Sequence, residues 1–390
     1  MTLYFSVRWP PEMEKLLSQG KYDALIKKID KKLSRDPSSE PLSCQKGAIL
    51  HASGDVVGSL TVFDNILSKN PDSTPALIGN GVIMVDLSRH DEAIASFSRA
   101  LMLNPADDIA LMNLGSTLAA IGRDADALTL FEQAIRSHPD TTDAYIGKAR
   151  VLFENEQFTK ALECAEIGVT KRKENGEMWA VHAEILYELE QFEEAQASAQ
   201  VATHFAPALP YTWQIQAMTL YHFQSYNEAI SAIKNSILIH PNNMSAWHLL
   251  SLCLMKSDQN EEAIATLDHI LMKDPEDIVA LSNRGNAYIC LEMYEEATES
   301  LEKALEINPN YLIGLRNLVQ VNIRQKKFLQ AFTINNRVLS LAPDDPQALH
   351  TRIILKILKA TKELQQDMSK RKKTKPKVKK TDKKEQNRNL

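Results

Sequence analysis

The side chains in this chain that could bind a metal or attack a carbonyl are four cysteines and ten histidines. Cys44, Cys164, Cys253 and Cys290 lie far apart with no C-x-x-C pair, so neither a zinc ribbon nor a disulfide framework is expected. No histidine pairs at metal-ligand spacing with a cysteine or carboxylate, and the H-E-x-x-H pattern is missing. His138 and His240 each directly precede a proline and read as solvated helix-end residues. There is no P-loop and no G-x-G-x-x-G. Gly79-Asn80-Gly81 resembles a phosphate loop only superficially. These patterns predict no catalytic site, no cofactor and no metal.

The other chemistry is charge. The net charge of −5 is divided unevenly: residues 370–388 hold eleven Lys or Arg against two acids, a tail of +9 on a body of −14. Lys370, Arg371, Lys372, Lys373, Lys375, Lys377, Lys379 and Lys380 are the candidate polyanion-binding or targeting residues. Such a run suits nucleic acid or a nuclear address. It would equally suit an acidic membrane surface, the acidic body itself, or solvation alone.

Composition bounds the elements that carry these residues. Hydrophobic residues are 44%, charged residues 24% and aromatics 6%, with 13 glycines. This is a core-forming, soluble composition that leans all-α. No apolar run reaches the roughly 18 residues of a membrane span, and MTLYFSVRWPPEMEK lacks the long apolar stretch of a secretory signal. A reduced, cytoplasmic protein is expected, with nuclear localisation the alternative that the tail would suit in a eukaryote.

The prolines reveal the organisation. Pro37, Pro71, Pro105 and Pro139 are 34 residues apart, and the series resumes at Pro207, Pro241, Pro275, Pro309 and Pro343. Proline interrupts helix interiors, so these positions mark connectors. Ala93, Ala127, Ala161, Ala195, Ala229, Ala263, Ala297 and Ala331 keep the same step, as do Gly47, Gly81, Gly115 and Gly285 in a second column. All four tryptophans, Trp9, Trp179, Trp213 and Trp247, share a third column with leucines. Within one unit, Leu111, Leu114 and Leu118 form one helical stripe, and Ala127, Leu130, Phe131 and Ala134 a second. Each unit is therefore two helices joined by a short turn, with small residues where the helices cross.

This period and its columns resemble the tetratricopeptide repeat. The resemblance implies an all-α, right-handed α-solenoid of antiparallel helix pairs. A degenerate first repeat spans 6–39. Nine contiguous repeats follow at 40–73, 74–107, 108–141, 142–175, 176–209, 210–243, 244–277, 278–311 and 312–345. A capping helix over 346–368 uses the stripe Leu349, Ile353, Ile357, Ala360 and Leu364, and 369–390 is a basic tail expected to be disordered. The proline series skips Lys173, and Lys171–Glu177 reads either as a flexible joint, with Gly176 permitting a sharper turn, or as a merely longer exposed loop.

The resemblance also implies a function. Such arrays are non-catalytic scaffolds that bind protein segments along the inner, concave face of the first helices. The candidate residues there are Val82, Met112, Asn113, Phe153, Tyr187, Met218, Tyr221, Leu252, Asn283, Asn286, Arg316, Asn317 and Gln320. Asn113, Asn283 and Asn317 share a column in which relatives use asparagine to hold a peptide backbone. The lysine and arginine partners needed to clamp a C-terminal carboxylate are mostly missing, Arg316 and Arg324 excepted. The alternatives are a nucleic-acid-associated adaptor that uses its tail, and the binding subunit of a larger enzyme complex.

Overall fold

Helix boundaries recur with the proline period because each connector is built alike. A computed structural model describes residues 21–358, together with Phe5, Trp9, Pro10, Met13, Leu16, Leu17, Gln19 and Gly20. At the connector, the last residue of the second helix is followed by one extended residue, such as Asn70 (φ −132°, ψ 88°) or His138 (φ −137°, ψ 82°). That conformation is the one a following proline demands. A polar residue then caps the next helix. Ser73, Asp107, Asn175, Asn243 and Asp277 each accept a hydrogen bond from the backbone N–H three residues on.

The chain divides into two compact units, Met1–Gln224 and Ser225–Leu390. In the first, helix Tyr22–Leu33 is followed by the pairs Glu40–Ala52 and Val56–Lys69, Thr74–Asp86 and His90–Leu103, Asp108–Ala120 and Asp124–Ser137, Thr142–Glu154 and Phe158–Lys171, and Gly176–Glu188 and Phe192–Phe205, ending with Pro210–His222. The second begins with Tyr226–Ile239. It continues through Met244–Lys256 and Asn260–Lys273, Ile278–Cys290 and Tyr294–Ile307, and Leu312–Arg324 and Phe328–Leu341, to a last helix at 346–358. The described residues contain no strand.

The columns pack as their side chains require. All eight alanines from Ala93 to Ala331 are fully buried. A Cβ on Gly81 would lie 2.5 Å from the Phe97 ring, and one on Gly285 2.6 Å from Leu301, so glycine lets the two helices of a pair meet. Trp179, Trp213 and Trp247 occupy one environment. Each indole N–H donates to the connector carbonyl six residues earlier, that of Lys173, Pro207 and Pro241, at 2.8, 2.7 and 2.8 Å. Every turn within a pair places one residue in the left-handed region. Glycine fills it at Gly20, Gly54 and Gly122, but Ser88, Glu156, Glu190, Gln224, Asp258, Glu292 and Lys326 fill it elsewhere.

The connector around Lys173 has the geometry of the proline-bearing connectors. Arg172 has the same extended conformation (φ −142°, ψ 89°), Asn175 caps the next helix, and Lys173 offers its carbonyl as the prolines do. Gly176 is a buried residue inside the helix rather than a turn. A Cβ there would lie 2.5 Å from Ala206 Cβ and 2.7 Å from the Ala202 carbonyl oxygen. The last helix packs with a face other than the expected stripe. Ala348 and Leu355 are buried while Ile353 and Ile357 are exposed, because Ile353 repeats a column that a following second helix would cover and Ile357 repeats a half-open one. The remainder of the expected cap, 359–368, and the basic tail lie outside the described residues.

Candidate partner-binding face

Within each unit, successive first helices pack against one another. Gly176–Glu188 touches both Thr142–Glu154 and Pro210–His222, and Ile278–Cys290 touches both Met244–Lys256 and Leu312–Arg324. Among the described residues, second helices do not pack comparably on the next second helix. First helices therefore stand closer together and line the shorter side of each stack, the side a bound segment would face.

In the first unit, this side carries an ionic and aromatic cluster drawn from three consecutive first helices. The Arg150 guanidinium lies 4.9 Å above the Tyr211 ring and reaches Glu177 at 3.4 Å, a cation–π contact joined to an ion pair. The Tyr211 hydroxyl donates to the Glu184 carboxylate. Burial pushes the Glu177 and Glu184 carboxyls above their usual range, against the pull of Arg150. Burial, reinforced by the Glu184 charge, holds the Tyr211 hydroxyl well above the usual phenol range. Aromatic rings flank the cluster. Phe153 meets Phe158 edge-on at 5.4 Å, Tyr187 meets Phe192 at 5.3 Å, and His222 stacks on Phe192. The sequence signal for the cluster was an arginine and a glutamate 34 residues apart in one column, which the candidate set omitted.

The second unit uses a different pair of positions, four residues before the Arg150 column and at the helix caps, for clamps between repeats. His248 Nε2 bonds Asp277 at 2.9 Å, and Arg316 pairs with Asp345. Asp277 and Asp345 also cap helices, through Ala280 and Ala348. The Ala348 N–H, with Arg316 beside it, holds the Asp345 carboxyl below its usual range.

The thirteen candidate residues divide accordingly. Phe153, Tyr187, Met218, Tyr221, Asn283, Asn286 and Asn317 are half-buried, and Leu252, Arg316 and Gln320 are exposed. Val82, Met112 and Asn113 are buried, which corrects their assignment as contact residues. The reason lies in neighbouring repeats. Asn113 stands one period from Gly79 and Gly147, where a Cβ would sit 2.3 and 2.5 Å from the Phe63 and Phe131 rings. That column therefore faces the second helix of the preceding repeat rather than a ligand. One further asparagine of the column is also engaged within the stack: Asn317 Nδ2 donates to Ser282 Oγ at 3.3 Å. The lysines and arginine of the tail candidates lie outside the described residues.

Little else among the described residues is chemically poised. Burial raises the Cys44, Cys164 and Cys253 thiols to about 12, 11 and 12, so they stay protonated and unreactive at neutral pH. Cys290 is exposed. No three described His, Cys, Asp or Glu side chains converge as a metal site would require, and no described helix is long and apolar enough to cross a membrane.

Profiles of the tetratricopeptide repeat match residues 278–311, 81–143, and 118–185 with 220–282, together about half of the chain. The chain belongs to the tetratricopeptide repeat family. No curated protein matches this sequence. Among solved structures it is similar to one from the APC/C hetero-tetramer Cut9–Hcn1, at 15% identity and a TM-score of 0.55, with 82% of this chain covered. This chain spans 64% of that one's length. It is also similar to Tom70 of yeast, at 14% identity, a TM-score of 0.42, and 93% and 97% of the two chains covered. YrrB, described as a TPR protein with an unusual peptide-binding site, matches at 21% identity and a TM-score of 0.36 over 56% of this chain and 96% of its own. At these identities the likeness concerns the solenoid fold alone.

Proposed function

We propose that this tetratricopeptide array is a non-catalytic scaffold that binds segments of partner proteins along its first helices. The supporting observation is the run of half-exposed aromatics Phe153, Tyr187 and Tyr221, each one repeat from the next, beside Arg150 and Glu184. Aromatic side chains with a polar tip suit a half-wet interface, and a rigid helical ridge limits the ordering cost of binding. Cut9, which has a similar fold, is described in a hetero-tetramer with Hcn1. The array works in the cytoplasm on this reading, with its repeats divided as the 34-residue period suggests.

The test is affinity capture with the full chain beside Phe153→Ala and Tyr187→Ala variants. Loss of one specific retained protein, with helix content unchanged, supports the reading. Identical retained sets for all three chains would refute it. The +9 tail favours a second reading, nucleic-acid association through charge. Retention on a nucleic-acid column that falls steeply with salt and vanishes on deleting 370–390 would support that reading.

A further inference from the structure

The first-helix face of the first unit holds one cation between a ring and a carboxylate, and twice repeats that pairing of groups without the cation. The Arg150 guanidinium lies 4.9 Å over the Tyr211 ring and pairs with Glu177 at 3.4 Å. The two empty versions stand in successive repeats, at the turn that joins the helices of a pair. In one, Phe153 meets Phe158 edge-on at 5.4 Å, with Glu154 and Glu156 in the turn between them. In the next, Tyr187 meets Phe192 in the same way at 5.3 Å, with Glu188 and Glu190 between them. All four rings are half-buried and all four carboxylates are exposed. None of the four carboxylates has an ion-pair partner among the described residues.

The helices that carry these carboxylates do not favour them. Glu154 and Glu188 are the last residues of Thr142–Glu154 and Gly176–Glu188, and neither last turn contains a basic residue. That end of a helix is the negative end of its dipole, where a cation is preferred. Elsewhere the same column is neutralised or reversed. Asp86 stands in it and bonds His51, and Arg324 closes the helix Leu312–Arg324. Burial first raises the Glu184 carboxyl, and the Glu188 and Glu154 charges raise it further against the pull of Tyr211 and Arg150. Three carboxylates thus share one field, while Arg150 is already committed to Glu177 and Tyr211.

We propose that these two turns are paired seats for a basic, extended segment of a partner protein, each taking one arginine or lysine side chain at its aromatic pair and its two carboxylates. Charge complementarity names the occupant, since a cation supplies to each seat what Arg150 supplies to Tyr211 and Glu177. The two first helices concerned pack directly on one another. Packed helices lie about 8–10 Å apart, a distance that an extended chain covers in about three residues. The segment therefore carries its basic residues three apart. A phosphate backbone would meet four unpaired carboxylates here and be repelled. This inference rests on the scaffold reading and deepens it, by giving the charge and the spacing of the bound segment.

The probe is a fluorescein-labelled peptide of serine and glycine with an arginine at every third position, titrated by anisotropy into the full-length chain at low salt. Combining Glu154→Gln with Glu188→Gln is expected to weaken binding at least tenfold. Both glutamates are exposed at helix ends, so the double variant keeps its core. Combining Glu261→Gln with Glu295→Gln removes the same charge from exposed positions of the second unit and should leave binding unchanged. A peptide with the same arginines grouped together should bind severalfold more weakly than the spaced one. Equal effects of the two double variants, equal affinity for spaced and grouped arginines, or no binding at all would overturn the seats. A rise in affinity on deleting residues 369–390, lost again in the Glu154→Gln and Glu188→Gln chain, would overturn the partner and make the chain's own basic tail the occupant. If the seats fail while Tyr187→Ala still loses its retained protein, the scaffold reading stands and only this inference falls.

Discussion

Gly176→Ala separates two accounts of the connector at residue 173. If the segment were a loose joint, a methyl group at its end would be harmless and would add a little helix propensity. The structure instead places the new Cβ 2.5 Å from Ala206 Cβ and 2.7 Å from both the Ala202 oxygen and the Ala206 nitrogen. Two of these three atoms are backbone, so no side-chain rotation relieves the contact. The helix beginning at Gly176 and the one ending at Phe205 must separate by about 1 Å to restore ordinary contact, and overpacking of this kind costs roughly 1–3 kcal/mol. The opposing gain from replacing glycine is at most about 1 kcal/mol in a helix interior, and smaller at a first position. The net expectation is destabilisation of about 1–2 kcal/mol. For a unit of this size that corresponds to a drop in melting temperature of about 2–8 °C. Repeat arrays need not unfold in one step, so amide hydrogen exchange gives the sharper assay. Protection should fall first in Gly176–Glu188 and Phe192–Phe205, whose packing the methyl group disturbs. An unchanged melt together with unchanged exchange in those helices would show that they are not packed as described.

Three further expectations test neighbouring features. Lys173→Pro should stabilise the first unit by about 0.5 kcal/mol, because Arg172 already holds the backbone that proline requires; a lower melting temperature would contradict this. Trp213→Phe and Trp247→Phe should each cost about 1 kcal/mol by removing the indole bonds to Pro207 and Pro241, and clearly unequal denaturant midpoints would show that the two indoles are not equivalent. Burial lowers the His182 imidazole to about 4, beside Ser198 Oγ at 3.0 Å. Because the folded state favours neutral His182, its contribution is complete above the ordinary value near 6.5 and is lost as pH falls toward 4, by about 2–3 kcal/mol at most. His182→Gln should remove that part of the acid sensitivity, and parallel stability curves between pH 7 and pH 4 would refute the assignment.

Much of the fold was legible because packing columns repeat. A crossing of two helices tolerates only small residues, so Ala93 through Ala331 and Gly81 through Gly285 announced the hairpins and their period. The left-handed turn residue was invisible, because Glu156, Glu190 and Lys326 take a conformation usually signalled by glycine. The missing proline at Lys173 leaves the connector conformation unchanged, because that conformation is imposed by the helix end and the cap, which proline only reinforces. On the last helix Ile353 repeats the buried column of Gly81, Gly285 and Val319 without the second helix that would cover it, and Ile357 repeats the half-open Val85 column, so both are exposed.

Composition and period, taken alone, determined an all-α repeat array with an acidic body and a basic tail, since both follow from local spacing and charge counting. Tertiary structure decided which side chains of the first helices remain available. Val82, Met112 and Asn113 are spent on packing, whereas Phe153 and Tyr187, in the Val85 column, stay half-open. Exposure at such a position depends on the reach of neighbouring side chains and on residues outside the period, such as Phe5 on Phe63. Neither distance is written in the spacing of a single column.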